Sequence, residues 1–194
     1  EVGGTKTETE SPAIGLEIRA QAFAFKSNDE INNMTFYKYQ IINRSSSPLN
    51  QTYFGQWVDP DLGKYDDDYV GCDVGRGLGY CYNGDAEDEG ADGYGFNPPA
   101  VGVDFFQGPK ADIGDGLDND RDGCVDCTFI TEPGGNVVSV PDYELPELII
   151  MSKFVYYENN FSVTGNPSQL DHYYNYLRGI WKDGTSMTCG GNGY

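Results

Sequence analysis

The chain has 194 residues, and its 31 Asp and Glu outnumber its 12 Lys and Arg, which gives a formal net charge of -19 at pH 7. Such a surface repels nucleic acids and anionic lipid headgroups, which are polyanions that bind through Lys and Arg, and it attracts divalent cations. No stretch approaches the roughly 20 consecutive apolar residues of a membrane span. We therefore expect no nucleic-acid partner and no direct insertion into a membrane.

The first third of the chain predicts a lead-in segment and three strands. Residues 1–13 are polar and small, and form the lead-in. Residues 14–25 begin with alternating apolar and polar side chains, the period of a strand with one wet face. Residues 34–43 and 51–58 are rich in aromatic and β-branched side chains, which favour strands.

From Asp59 onward the pattern changes to short strands set in acidic loops. Residues 69–74 and 79–83 predict a hairpin, and residues 148–157 predict a central strand. Between Asn166 and Gly179 the apolar residues recur at helical spacing, so one amphipathic helix is expected there. The fold class that follows is mainly β: a two-sheet β-sandwich with long acidic loops and one amphipathic helix near the C-terminus. We expect a single domain over residues 14–194, with a calcium-loop insertion at about 59–130.

The strongest local motif is the run DNDRDGCVD at residues 118–126. Calcium takes about six to eight oxygen ligands, which alternate residues of a tightly curled loop can supply. Gly123 permits the sharp turn, whereas Phe129 occupies the place where an EF-hand needs its last carboxylate. The loop is therefore predicted to bind calcium without being an EF-hand. Its predicted ligands are the side chains of Asp118, Asp120, Asp122 and Asp126, the carbonyl group of Cys124, and the upstream side chains of Asp115 and Asp112.

A second, weaker group of carboxylates lies in residues 59–73. Residues 59–126 hold 18 Asp or Glu and 4 Lys or Arg, so this region alone carries a charge of -14. Carboxylates packed this closely raise one another's pKa unless a cation lies among them. The group is a candidate second calcium site, and the alternative is a solvated loop at a sheet rim. Its members are Asp59, Asp61, Asp66, Asp68 and Asp73.

The five cysteines favour disulfides over zinc. Cys72 and Cys81 flank the predicted hairpin turn, where they would lie opposite each other. Cys124 and Cys127 form a Cys-x-x-Cys pair, and the only histidine is far away in sequence, so a local disulfide is favoured there. The odd cysteine, Cys189, then has a partner outside this chain or remains a thiol. Both chain ends are interpreted as cuts within a longer polypeptide.

Evidence for catalysis is thin. His172 lies within the predicted helix, and no motif ties it to a Ser or Cys nucleophile. Glycosidases need only two carboxylates, and nothing singles out one pair among the many in this chain. The sequence thus favours a structural or adhesive role, with a surface glycan or protein as partner. The alternative is a carbohydrate-binding module or glycan-active enzyme domain, which would use exposed Trp57, Tyr94 or Trp181 in a groove.

Seven segments together carry a resemblance to known proteins. They are MTFYKY at 34–39, YFGQWVDPDLG at 53–63, DYVGCD at 68–73, and residues 78–85, 97–102, 104–109 and 179–184. As a set they resemble large secreted proteins of the Bacteroidetes. The resemblance implies export by type IX secretion, display on or release from the cell surface, and a longer chain that ends in a sorting domain. It implies fibre, adhesin or matrix roles and supplies no catalytic residues. The run at 118–126 is similar to the Asp-rich calcium loops of thrombospondin type 3 repeats.

Overall fold

A computed structural model describes residues 13–157 and 160–188. By their internal contacts these residues fall into two compact units. The first comprises those within Glu1–Gly55 and Pro167–Tyr174, and the second comprises those within Gln56–Asn166 and Asn175–Tyr194. The predicted lead-in segment, apart from Ala13, and Cys189 lie outside the described residues. The single domain over residues 14–194 stays a prediction.

The described residues form nine strands and one α-helix. In chain order the strands are β1 (Leu16–Ala24), β2 (Thr35–Asn43), β3 (Asp68–Asp73), β4 (Leu78–Asn83), β5 (Glu87–Asp88), β6 (Gly95–Phe96), β7 (Ala100–Asp104), β8 (Cys127–Thr131) and β9 (Val137–Pro141), and the helix is α1 (Leu170–Leu177). Short 3-10 turns lie at Glu30–Asn33 and Tyr65–Asp67. The mainly-β class and the helix near the C-terminus are confirmed.

All four sheets are small and antiparallel: β1-β2, β3-β4-β7, β5-β6 and β8-β9. The two-sheet sandwich stays a prediction. Strand predictions at 51–58 and 148–157 are wrong, since the first segment is irregular and the second makes one isolated bridge, Leu148 with Lys110. A strand needs a partner backbone as well as a suitable composition. Beyond this bridge, the ring of Phe154 lies against Gly79 of β4.

The first unit is built on the hairpin of β1 and β2. Their nine-residue register runs from Leu16 opposite Asn43 to Ala24 opposite Thr35. Rings of Phe23, Phe25 and Phe36 pack at its far end, with centroids 5.4–5.7 Å apart. Large apolar side chains of both strands nevertheless stay exposed.

The second unit has a small apolar core. Among the described residues, the buried apolar side chains are Leu62, Cys81, Tyr176 and Met187, and all four belong to this unit. The hydroxyl of Tyr176 donates to the carbonyl of Gly165 at 2.6 Å. A core of this size provides little hydrophobic stabilisation, so the acidic loops of the unit need another source of order.

The helix stop predicted at Gly179 is confirmed. Gly179 has a φ of +71°, its N–H donates to the carbonyl of Tyr176 at 3.0 Å, and the N–H of Ile180 donates to that of Asn175 at 2.9 Å. This pair of bonds is the Schellman motif, which satisfies the last carbonyl groups of a helix and requires a left-handed residue.

Candidate metal centre

The Asp118 loop, residues 118–126, is curled by its own aspartates. Arg121 and Gly123 have φ values of +57° and +96°, so the backbone turns back on itself. One oxygen of Asp118 then accepts the N–H of Asp122 at 3.1 Å, and the other accepts the N–H of Gly123 at 3.0 Å. Asp120 accepts from the same N–H of Asp122 at 3.2 Å and from the hydroxyl of Thr128 at 2.9 Å. These bonds turn the side chains toward the inside of the loop.

The carboxylates of Asp118, Asp120 and Asp122 converge, and together they form the outer cluster. One oxygen of each lies within 4.8 Å of an oxygen of the others. At that separation and an effective dielectric constant of about 20, each ionised pair repels by about 3.5 kcal/mol. A cation bound among the three carboxylates would convert this repulsion into attraction, and the outer cluster could therefore hold a metal ion.

Asp126, the fourth aspartate of the loop, groups with two residues from beyond it. Its carboxylate meets those of Asp142 and Glu147, again with one oxygen of each within 4.8 Å of the others. We call these three residues the inner cluster, because Asp142 and Glu147 are 4% and 1% exposed. This cluster too could hold a metal ion.

The β8-β9 hairpin places Asp142 beside Asp126. Cys127, the first residue of β8, pairs with Pro141, the last of β9. At the next pair of residues away from the hairpin turn, the N–H of Asp142 donates to the carbonyl of Asp126 at 3.0 Å. The side chains of directly opposed residues on an antiparallel pair project from the same face.

Two backbone hydrogen bonds, one on either side of Lys110, position Glu147. The N–H of Ala111 donates to the carbonyl of Glu147 at 2.9 Å, and the N–H of Ile149 donates to that of Pro109 at 2.8 Å. The Glu147 side chain thereby reaches the Asp118 loop, where its Oε1 accepts the N–H of Asn119 at 3.0 Å.

The carboxyl group of Glu147 has a raised pKa. Burial raises its pKa, the N–H of Asn119 opposes that shift, and the negative charges of Asp120, Asp118 and Asp126 raise the pKa further. Its second oxygen, Oε2, is buried and has no hydrogen-bond partner within the described part of the chain. A buried carboxylate oxygen without a donor is costly unless a proton or a cation reaches it.

The remaining predicted ligands of the loop lie around these clusters. Asp115 is exposed and accepts from the N–H of Leu117 at 2.9 Å and from the side-chain amide of Asn119. Asp112 is also exposed. The N–H of Cys124 donates to Asp122 at 2.8 Å. The disulfide between Cys124 and Cys127 is confirmed, and it ties the end of the loop to the start of β8.

The five residues of the predicted second site are spread along residues 59–73. Asp59 and Asp61 are exposed, and Asp66 forms an ion pair with Lys64 at 3.2 Å. Asp68 and Asp73 stand at opposite ends of β3, five residues apart, which at roughly 3.3 Å per residue is about 17 Å. Asp73 instead accepts the backbone N–H of Arg76 at 3.2 Å and pairs with its guanidinium at 3.6 Å. Asp68 and Asp73 therefore cannot share one metal ion.

A different set of oxygens is buried at the start of β3. Within the described residues, Oδ1 of Asp67, Asp68 and Asn83 are each buried without a hydrogen-bond partner. Asp68 and Asn83 are direct partners in the register of β3 and β4. Burial raises the pKa of Asp68, and the neighbouring charges of Asp67, Asp88 and Asp61 act in the same direction.

The predicted pairing of Cys72 with Cys81 is wrong in register. The hairpin turns over residues 74–77, so Cys72 lies opposite Gly79, and Cys81 lies opposite Val70. Cys72 and Cys81 are thus diagonal neighbours, which are roughly 7–8 Å apart in such a ladder. A disulfide requires a closer approach, and the structure forms none between them. Burial raises the pKa of the Cys81 thiol.

Sequence reasoning missed Asp142 and Glu147. A signal existed for Asp142: two β-branched runs flank Pro133, Gly134 and Gly135, and a hairpin turning there opposes residue 142 to residue 126. No comparable signal exists for Glu147. It is placed by an isolated bridge between Lys110 and Leu148, which are 38 residues apart, and no local pattern indicates such a bridge.

Comparisons with protein-family models, with curated proteins and with solved structures find no match to this chain. Among the residues that the structure describes, none belongs to a helix long and apolar enough to cross a membrane. The Cys124–Cys127 disulfide is compatible with an extracellular location, where such bonds persist.

Proposed function

We propose that this chain is a calcium-stabilised structural or adhesive module of a secreted or cell-surface protein. One observation carries the proposal: the three carboxylates of the outer cluster, Asp118, Asp120 and Asp122, converge within a single curled loop. A cation there would hold together a loop that its own charges otherwise push apart.

The donor chemistry favours calcium over softer metals. Both clusters consist of carboxylates, and hard oxygen ligands suit calcium, magnesium and manganese. Cys124 and Cys127 are joined to each other and offer no thiolate. Among the oxygen-seeking ions, calcium accepts the irregular geometry and high ligand number of an Asp-rich loop, whereas magnesium demands a near-ideal octahedron.

The exposed aromatic side chains support an adhesive role. On the β1-β2 hairpin Tyr37 and Tyr39 are more than half exposed, and in the second unit Trp57 and Tyr94 are about 60% exposed. Aromatic side chains on a surface supply large contact areas to a partner. Export by type IX secretion, within a larger surface polypeptide, belongs to the same proposal and accounts for a disulfide beside a metal loop.

Chelation combined with one isosteric variant tests the calcium proposal. Adding EDTA to the 194-residue chain should lower the Tm by roughly 5–10 °C. An ion present at about 100 times its Kd adds about 2.7 kcal/mol to the free energy of unfolding, and a chain of this length converts that loss into such a Tm shift. Asp120→Asn should remove at least half of that shift, since it takes a charge from the outer cluster. Thermal melts followed by circular dichroism, with and without calcium, measure both.

The matched control is Asp92→Asn, which removes one charge from an exposed residue of the same acidic region. It should keep the full response to chelation. A melt that EDTA leaves unchanged, or equal losses in the two variants, would contradict the proposal.

A glycan-binding module is the second candidate, and the exposure of Trp57 at 63% favours it. Trp181 is only half-exposed and packs edge-on against Tyr176, which suits a structural role better. A glycan array probed with and without calcium separates the candidates. Binding that Trp57→Ala abolishes would support the second one, and an array without binding would leave the structural role.

A further inference from the structure

We infer that the inner cluster, Asp126, Asp142 and Glu147, is a second calcium site, separate from the outer cluster. The inference extends the proposed function without resting on it, because the two clusters share no residue. It assigns a ligand role to Asp142 and Glu147, which lie outside the Asp118 loop.

Backbone N–H groups hold each carboxylate of the inner cluster in place. Each uses one oxygen to accept a backbone N–H from residues 114–119, and these bonds leave its other oxygen for a further partner. The three bonds run from Gly116 to Asp126 at 2.8 Å, from Gly114 to Asp142 at 2.5 Å and from Asn119 to Glu147 at 3.0 Å. Such hydrogen bonds fix the direction of a carboxylate before the ion binds to it.

Glu147 provides the independent indication of a ligand. Its side chain is 1% exposed, and its Oε2 has no donor in the described part of the chain, although its carboxylate lies within 4.8 Å of two others. Asp142 is buried as well, at 4%. Buried carboxylates are ordinarily paired with a base, a donor or a metal. The ion pairs of Arg19, Arg44, Lys64 and Arg76 lie elsewhere, with Glu17, Asp66 and Asp73.

Hard carboxylate oxygens define the ion that this site would take. Three carboxylates that each offer one oxygen suit a divalent cation of the calcium type, completed by water or carbonyl oxygens. An ion at this point would tie together three segments that are distant in sequence: the end of the Asp118 loop, the residue after β9, and the segment at 147–149 that pairs with 109–111. The inner site would thus fasten the loop to the rest of its unit.

Calcium titration of the chelator-treated 194-residue chain by isothermal calorimetry tests the inference. The wild type should bind two ions, and Glu147→Gln should bind one, because Gln keeps the acceptor for Asn119 and loses the charge. The matched control is Glu144→Gln, an exposed glutamate three residues before Glu147, which should keep both ions. Asp120→Asn should lose the outer ion alone.

These outcomes distinguish the two proposals. Loss of one ion in Glu147→Gln supports the inner site even if Asp120→Asn changes nothing, a result that would contradict only the outer site. A wild type that binds a single ion, lost in Asp120→Asn and kept in Glu147→Gln, overturns the inner site. A single ion that both variants lose also overturns it, since one composite site would then use both clusters.

Thermal melts give a second readout that does not depend on counting bound calcium ions. In EDTA, Glu147→Gln should melt at a higher temperature than the wild type, because a buried unpartnered charge has been removed. In saturating calcium it should melt at a lower temperature, because a ligand has been removed. A Tm lowered equally in both conditions, as a merely structural Glu147 would give, overturns the inference.

Discussion

The Asp118 loop and the Asp59 segment, residues 59–73, are both dense in aspartate, but the loop gathers its carboxylates and the segment spreads them apart. In the loop, aspartates at alternate positions line the inside of a curl, and three of their carboxylates converge. In the segment, three consecutive aspartates lead into β3, where neighbouring side chains point to opposite faces. Spacing and backbone curvature, more than charge density, decide whether carboxylates form a metal centre.

The two regions also differ in the groups that compensate the charge of their carboxylates. The carboxylates of the Asp118 loop are held by N–H groups of their own loop. In the Asp59 segment, Asp66 pairs with Lys64 and Asp73 with Arg76. In the Asp59 segment, basic side chains thus supply the positive charge that a metal ion would supply in the loop. The exception is Asp68, which is half-buried, has an oxygen without a donor and has a raised pKa.

The largest effect that would sharpen this comparison involves the disulfide of the loop. Replacing Cys124 and Cys127 together by Ser should lower stability by about 2 kcal/mol, because the bond closes a short loop in the unfolded chain. For a chain of this size that is a fall in Tm of roughly 4–8 °C. Calcium affinity should fall too, since the disulfide fixes the end of the loop.

Cys72→Ser is the control, because Cys72 is exposed and lies outside the Cys124–Cys127 bond. Calorimetric scans in calcium should show little change for it. Equal melting of the double variant and the wild type would show that the metal centre forms without the covalent link.

An intermediate effect is expected at Asp68. Its folded pKa is raised, so its ionised form opposes folding, and the penalty appears as pH rises through the folded value. Below the ordinary value of 3.8 the residue is protonated in both states, and the penalty is absent. In EDTA, Asp68→Asn should therefore raise the Tm at neutral pH and lose that advantage near pH 3. A Tm difference that does not vary with pH would show that Asp68 ionises without cost.

The smallest effect is expected at Asp73. Its partner Arg76 is largely exposed, and exposed ion pairs contribute less than about 1 kcal/mol. Asp73→Asn should change the Tm by less than about 2 °C in calcium or in EDTA. A calcium-dependent loss as large as that of Asp120→Asn would place a metal ligand in the Asp59 segment and remove the contrast between the two regions.

Local patterns predicted the parts of the molecule that local forces decide. Alternation and β-branched composition located β1, β2 and the β3-β4 hairpin, and Gly179 marked the end of α1. The failure at 148–157 has a physical reason, since composition expresses a preference that only a neighbouring backbone can realise. For the metal centre, spacing within one loop predicted the outer cluster.

The inner cluster could not be predicted in the same way, because its members meet through tertiary structure. Asp142 depends on the register of β8 with β9, and Glu147 depends on an isolated bridge to Lys110. Glu147 lies 21 residues beyond Asp126, and no fixed spacing in the sequence marks it as a ligand.

The most direct test of the central claim is an amide NMR titration of the chelator-treated chain with calcium. The contrast between the two regions predicts saturable shifts at the amides that donate to cluster carboxylates, above all those of Asn119, Asp122 and Gly123. The amides of Lys64 and Arg76, which donate to Asp88 and Asp73, should not move. Shifts confined to residues 59–73, with the Asp118 loop unchanged, would contradict the account.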